Sequence, residues 1–170
     1  MPRRTSYRQN LKRIRLLLLD VDGVLTDGGI YLSGDGDEMK KFNIRDGYGI
    51  AKIQRAGVAV GIITGRTSPL VKRRAEELGI RELHQGVEDK METYRRLKQK
   101  YDLEDASIAY IGDDEPDLDI LRIVGFSAAP LDAAEPVRKA VHYVCAVKGG
   151  EGAVREVIDL ILESRAHGKR

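Results

Sequence analysis

Short apolar runs alternate with longer amphipathic stretches along almost the whole chain. Runs over residues 16–20, 58–64, 107–112, 125–129 and 141–144 are bounded by turn residues and rich in branched side chains, which predicts buried strands. Between them, apolar positions recur at helical spacing and predict helices over 47–56, 69–78, 90–101, 115–124, 133–140 and 152–163. Pro69 and Pro116 stand where a first helical turn tolerates proline, and Gly57, Gly79 and Gly125 follow helices as stops. Strand and helix in alternation, joined by short loops, make an α/β fold: a mainly parallel sheet with helices on both faces. One segment breaks the alternation. GIYLSGDGDEMKKFN, residues 29–43, reads as two short strands around a Gly-Asp-Gly turn, a β-hairpin after the first strand.

The first strand poses a chemical question, because LLLL runs straight into DVDG. An ionised carboxylate is costly to bury unless a cation or donors meet it. In parallel α/β sheets, ligands bind outside the carboxyl ends of the strands. Past those ends here come Asp20 and Asp22, then Thr64-Gly65-Arg66, then Asp113-Asp114 with Asp117, while Lys90 opens a later helix. Carboxylates, a hydroxyl and an ammonium thus converge on one rim, as a magnesium and phosphate site requires. Magnesium takes oxygen ligands and is held by one or two carboxylates with phosphate and water. Asp20, Asp22 and Asp113 can supply that shell, Asp22 through its side chain or its carbonyl. Lys90 fits too: a cation in a helix's first turn opposes the macrodipole by about 0.3–1 kcal/mol, and a bound anion reverses that sign.

Composition narrows the classes without changing this picture. At 170 residues, with no repeat, low-complexity segment or linker, residues 1–170 are expected to form a single domain behind a basic tail, 1–15. The tail is expected to be solvated, and with no tryptophan and few aromatics no nucleic-acid partner is expected. No apolar run reaches the roughly 18 residues of a membrane span, so no membrane partner is expected and the cytoplasm is the expected location. Cys145 reads as a small buried hydrophobe, and His84, His142 and His167 share no metal-ligand spacing. DVDG is not an EF-hand, since Val24, Leu25 and Tyr31 stand where an acid, glycine and glutamate belong. GYG at 47–49 follows no buried strand, and no GxxxxGK[ST] occurs.

The set DVDGVLTDG, IITGR, Lys90 and IGDDEPD resembles the four motifs of the haloacid dehalogenase-like superfamily. More narrowly, KFNIRDGYGI and KGGEGAVREVIDLIL resemble the 3-deoxy-D-manno-octulosonate 8-phosphate phosphatases. The resemblance implies a Rossmann-like fold and a magnesium-dependent phosphatase of lipopolysaccharide biosynthesis acting on a phosphorylated acidic sugar. It implies Asp20 as nucleophile, forming an aspartyl-phosphate, and Asp22 as the acid and base for the leaving sugar oxygen and the water. It further implies that Thr64, the Gly65 amide and Lys90 hold the phosphoryl group. Asp113 would join Asp20 and Asp22 around magnesium, with Asp117 and Asp114 in support. The gaps between motifs are short, so no cap domain is expected. Arg66 and Arg45 are candidate contacts for a substrate carboxylate.

Three alternatives belong beside this reading. A nonulosonate 9-phosphate or another sugar phosphate could be the substrate; the module could be a catalytically inactive assembly element; or it could be a phosphoacceptor receiver. Receivers place the acid pair early and the lysine late, opposite to the order here. The apolar hairpin residues Ile30, Leu32 and Phe42 predict a homo-oligomer, a tetramer, built on that ribbon.

Overall fold

The computed structural model describes residues 7–166. Six strands form one parallel sheet: β1 (Leu16–Leu19), β4 (Ala59–Ile63), β5 (Glu82–His84), β6 (Ile108–Ile111), β7 (Phe126–Ala129) and β8 (Tyr143–Val144). Their order is β5-β4-β1-β6-β7-β8, so β1 lies at the centre, paired with β4 on one side and β6 on the other. The hairpin, β2 (Tyr31–Leu32) and β3 (Glu38–Met39), is a separate antiparallel pair.

The four leucines of β1 show why the run is uniformly apolar. Successive strand side chains point to opposite faces. Leu17 and Leu19 enter a core with α2 (Ile44–Arg55), α3 (Pro69–Glu77) and α7 (Ala153–Ala166), through Ile50, Ile53, Val71, Val157 and Ile161. Leu16 and Leu18 enter a second core with α4 (Lys90–Lys100), α5 (Leu118–Leu121) and α6 (Glu135–Ala140), through Tyr94, Leu97, Ile120, Leu121 and Val137. All four leucines are fully buried, each contributing about 1.5–3 kcal/mol.

Helix starts follow their caps. Asn43 accepts from the Arg45 amide, so α2 begins at Ile44 rather than at the expected 47. Asp89 caps α4 through the Glu92 amide, and Ser68 caps α3 just before Pro69. The expected helix over 115–124 is instead a 3-10 turn at Glu115–Asp117 leading into the single turn of α5. Strand β5 went unexpected, because ELH is short and polar at both ends. The expectation of a solvated tail needs correction over residues 7–15. There α1 (Tyr7–Leu11) stacks Tyr7 on Phe126 at 5.4 Å, and Leu11 and Ile14 are buried. Residues 1–6 of the tail lie outside the described residues. Between β1 and β4 the chain holds only the hairpin and α2, and between β4 and β5 only α3, so no cap domain interrupts the sheet.

Candidate active site

The chain runs from β1 to β4 on one side, then crosses to β6 on the other, which makes the carboxyl end of β1 the point where strand order reverses. A cleft of about 820 Å³ opens there, lined by Asp20, Asp22, Thr64, Gly65, Arg66, Lys90, Asp113 and Asp114. Asp20 continues the β1 ladder, its amide donating to the Ile111 carbonyl at 3.0 Å. The loop beyond is tightly folded: the amides of Val24, Leu25 and Thr26 all donate to the Val21 carbonyl. The Thr26 hydroxyl accepts from the Gly23 and Gly28 amides.

Gly23 has φ +83°, and a Cβ there would stand 2.0 Å from Asp113 Oδ2, so only glycine lets the loop and Asp113 approach this closely. Behind the loop runs the Lys148-Gly149-Gly150 segment, where the Gly150 amide donates to the Val24 carbonyl at 3.1 Å. The Gly149 amide donates to Asp132 Oδ1 at 3.0 Å. Asp46, on α2, accepts from the Arg155 amide at 2.8 Å and so ties α2 to the start of α7.

Charge in the cleft is concentrated. Oxygens of Asp20, Asp113 and Asp117 lie within 4.8 Å of one another. Lys90 Nζ donates to Asp20 Oδ2 and to Asp117 Oδ1, each at 2.7 Å. These two carboxylates are the anions that offset an ammonium at a helix start. Burial alone would lower the Lys90 pKa, but Asp20 and Asp117 outweigh it and hold it above the ordinary value. Asp117 is fully buried and saturated: Oδ1 also accepts from the Tyr110 hydroxyl at 2.7 Å, and Oδ2 accepts from the amides of Asp113 and Asp114. Asp20 is raised to about 6 by burial and then by Asp117, against the pull of Lys90. Asp113 is pushed to about 8, first by burial and then by the charges of Asp20, Asp117 and Asp114.

Among the described residues, no side chain donates a hydrogen bond to the Asp113 carboxylate or forms an ion pair with it. A carboxylate crowded by three others, with no cation of its own, fits a site built for one.

The remaining candidates divide. Thr64 is buried at the end of β4, its amide on the His84 carbonyl and its own carbonyl on the Val87 amide. Arg66 is exposed on the rim and pairs with Glu38 at 2.9 Å. Asp22 stands apart from the tight carboxylate group and accepts from Lys40 Nζ at 2.5 Å. Arg45 does not line the cleft: it sits exposed in the first turn of α2, so its expected contact with substrate finds no support within one chain. Sequence reasoning missed Lys40, Tyr110 and Arg95, which also lines the cleft. Tyr110 could have been suspected as a polar tip on an otherwise apolar strand, IAYI. Nothing in EMKKFN marks Lys40 as facing a loop 18 residues earlier.

Comparison with known proteins identifies relatives of the chain. Residues 81–158 match the family of haloacid dehalogenase-like hydrolases. The chain is 47% identical over 154 residues to 3-deoxy-D-manno-octulosonate 8-phosphate phosphatase KdsC of Yersinia pestis, covering 91% of this chain and 82% of that protein. It is 46% identical over 151 residues to the same phosphatase of Escherichia coli K12, covering 89% of this chain and 80% of that protein. Among solved structures, the Yersinia pestis enzyme superposes with a TM-score of 0.93 at 45% identity, covering 95% of this chain and 88% of that one. The Moraxella catarrhalis phosphatase, solved with a magnesium ion, a phosphate ion and a KDO molecule, gives a TM-score of 0.92 at 42% identity, covering 95% and 92%. The chain therefore belongs to the haloacid dehalogenase-like hydrolases and, within them, to the 3-deoxy-D-manno-octulosonate 8-phosphate phosphatase family.

Proposed function

We propose that this protein is a magnesium-dependent phosphatase that hydrolyses 3-deoxy-D-manno-octulosonate 8-phosphate to the free sugar acid and phosphate, in lipopolysaccharide biosynthesis. The observation that carries the reading is Asp20 at the carboxyl end of the central strand, facing an open cleft with Lys90 and Asp113 beside it. The carboxylates of Asp20 and Asp113, with the main-chain carbonyl of Asp22, would hold a magnesium ion, which when bound would neutralise phosphate charge and draw the surrounding carboxylates into their ionised forms. Asp117 has both oxygens committed and supports Lys90 and the Asp113–Asp114 backbone. Asp114 caps the turn that carries Asp117.

In the first step an Asp20 oxygen attacks phosphorus. An ionised carboxylate has about four lone-pair sites. The bonds from Val21 N and Lys90 therefore leave both Asp20 oxygens able to react. The Asp20 O–P bond forms and the P–O bond to the sugar breaks. The electron pair stays on the sugar oxygen, which takes a proton from Asp22. Water then attacks the aspartyl-phosphate and gives its proton to Asp22, and Asp20 leaves as carboxylate. The Thr64 hydroxyl and Gly65 amide donate to the transferring oxygens, and Lys90 screens their charge. Arg66, on the rim, meets the substrate carboxylate.

The hairpin supports assembly into a tetramer. Tyr31, Leu32 and Met39, on strands of two residues each, and Ile30 just before them are exposed, whereas Phe42 packs against the chain's own core; such a ribbon is marginal alone. Light scattering checks this, and a mass near the 18.9 kDa of one chain refutes it. Among the described residues no helix is long and apolar enough to cross a membrane, and we place the enzyme in the cytoplasm with its charged substrate.

The substrate is tested by kcat/KM across sugar phosphates, since discrimination is a ratio of those values. A nonulosonate 9-phosphate or a hexose phosphate hydrolysed more than about tenfold better overturns the substrate assignment. Asp20→Asn tests the mechanism: turnover above about a hundredth of wild type is incompatible with a covalent nucleophile.

A further inference from the structure

Lys40 lies just past β3, and its side chain is only 1% exposed. Its Nζ donates to Asp22 Oδ1 at 2.5 Å and reaches Glu38 Oε1 at 3.3 Å. Glu38 Oε1 in turn accepts from Arg66 at 2.9 Å. Four side chains of alternating charge thus run Asp22–Lys40–Glu38–Arg66, from the end of β1 across the hairpin to the end of β4. The two outer members line the cleft and the two inner ones do not.

We infer that Lys40 is a positioning residue for Asp22, fixing which of its oxygens delivers the proton to the leaving group. The inference rests on the reading of Asp22 as the acid in phosphate hydrolysis. Asp22 is attached through a loop rather than a strand, and its side chain is 26% exposed. Left alone, such a carboxyl samples several rotamers. An ammonium on Oδ1 removes that freedom with a charge-assisted hydrogen bond. Because Oδ1 is occupied as an acceptor in both protonation states, the proton resides on Oδ2. When the P–O bond breaks and the electron pair stays on the sugar oxygen, that proton moves from Oδ2 to it. Lys40 does not line the cleft, so it acts through Asp22 and not on the substrate. Glu38 extends the same constraint to Arg66, so the hairpin holds the acid and a substrate-facing cation in one frame.

The test exploits leaving groups. A sugar alkoxide needs a proton to depart, whereas nitrophenolate departs without one. We compare wild type, Lys40→Met, Lys40→Arg and Asp22→Asn on two substrates at saturating magnesium: p-nitrophenyl phosphate, and the alkyl phosphate that wild type turns over fastest. General acid catalysis contributes about 10²–10⁴-fold and a 1 Å misplacement costs about 10²-fold. The alkyl-to-aryl ratio of kcat should therefore fall about 10–100-fold in Lys40→Met, with KM little changed, and Lys40→Arg should recover most of it. Should Lys40→Met melt below the assay temperature, Lys40→Gln takes its place.

A parallel fall on both substrates marks Lys40 as structural and overturns the inference, as does an unchanged ratio. Asp22→Asn separates the two failures. If it splits the substrates while Lys40→Met does not, Lys40 is the error. If Asp22→Asn leaves the ratio unchanged, the acid role of Asp22 falls and the inference with it. Because the alkyl phosphate is chosen by turnover, a wrong octulosonate assignment leaves this comparison intact.

Discussion

Replacing Gly149 by alanine puts a methyl group against the loop that carries Asp22. The added Cβ would stand 1.9 Å from the Gly23 carbonyl oxygen, 2.5 Å from its carbon and 2.9 Å from the Thr26 carbonyl oxygen. Packed interiors do not absorb such overlaps, so one of the two backbones must retreat by roughly 1 Å. Neither retreats freely. The glycine side is bound to Asp132 and Val24, and the loop side is folded around the Val21 carbonyl by three amides. Gly23 also seats against Asp113, so displacing it moves Asp22 relative to the carboxylate cluster. Overpacking of this kind costs about 1–3 kcal/mol in stability, and a shift of about 1 Å in a reacting group costs on the order of 100-fold in rate. Gly149→Ala should therefore melt lower and lose about two orders of magnitude in kcat for the octulosonate phosphate at saturating magnesium. Gly152→Ala is the control. Its φ of +108° makes alanine strained, but no atom lies within 4 Å of the added Cβ. It should lose about 1–3 kcal/mol of stability and keep its kcat. Steady-state kinetics with thermal melts on both variants decides the matter. Gly149→Ala retaining more than about a third of wild-type turnover, or Gly152→Ala losing as much as Gly149→Ala, refutes the reasoning.

Three further outcomes are expected. Asp113→Asn should raise the melting temperature of magnesium-free protein, because it removes a carboxylate that burial and neighbouring acids push to about 8. The same variant should lose most of the magnesium-dependent rise in melting temperature, and an unchanged rise would place the ion elsewhere. Asp46, 1% exposed with Oδ2 buried and without a hydrogen bond, is raised by burial from 3.8 to about 6, against the pull of the Arg155, Gly152 and Val154 amides. A folded-state value above the unfolded one means that its contribution is full below pH 3.8 and is lost as pH rises through about 6, a change of about 3 kcal/mol. Chemical denaturation at pH 4 to 7 should show that decline in wild type, flattened by that amount in Asp46→Asn; equal slopes would contradict it.

Reading along the chain recovers what short-range physics decides. The runs leading to Asp20, Thr64 and Asp113 are legible because buried strands are apolar on both faces and parallel topology sends their carboxyl ends to one rim. Lys90 is legible because its charge is wrong for its place until an anion faces it. Glu82–His84 pairs with β4 as an edge strand through backbone bonds that need no apolar side chain, so β5 left no pattern to read. Lys40 and Asp22 meet only because the hairpin folds back across 18 residues, and no periodicity encodes that reach. The glycines of KGGEG looked like a family mark. Their physical meaning, a backbone pressed against the loop after β1, is visible only in three dimensions.

The central position of β1 carries a cost during synthesis. Its four leucines emerge early, yet their strand partners are β4, whose ladder begins at Ala59, and β6, which begins at Ile108. At a translation rate of about 5–20 residues per second, roughly 5–20 s separate β1 from its second neighbour. Throughout that interval a strand with no exposed side chain in the finished protein presents a bare apolar edge to the ribosome surface and to other nascent chains. A chain arrested before Ile108 also lacks Asp113 and Asp117, so it displays the aggregation hazard with Asp20 as the sole member of the carboxylate cluster. Slowing translation between β4 and β6 therefore lengthens that exposure and lowers the soluble yield, while the chains that do fold keep their full activity.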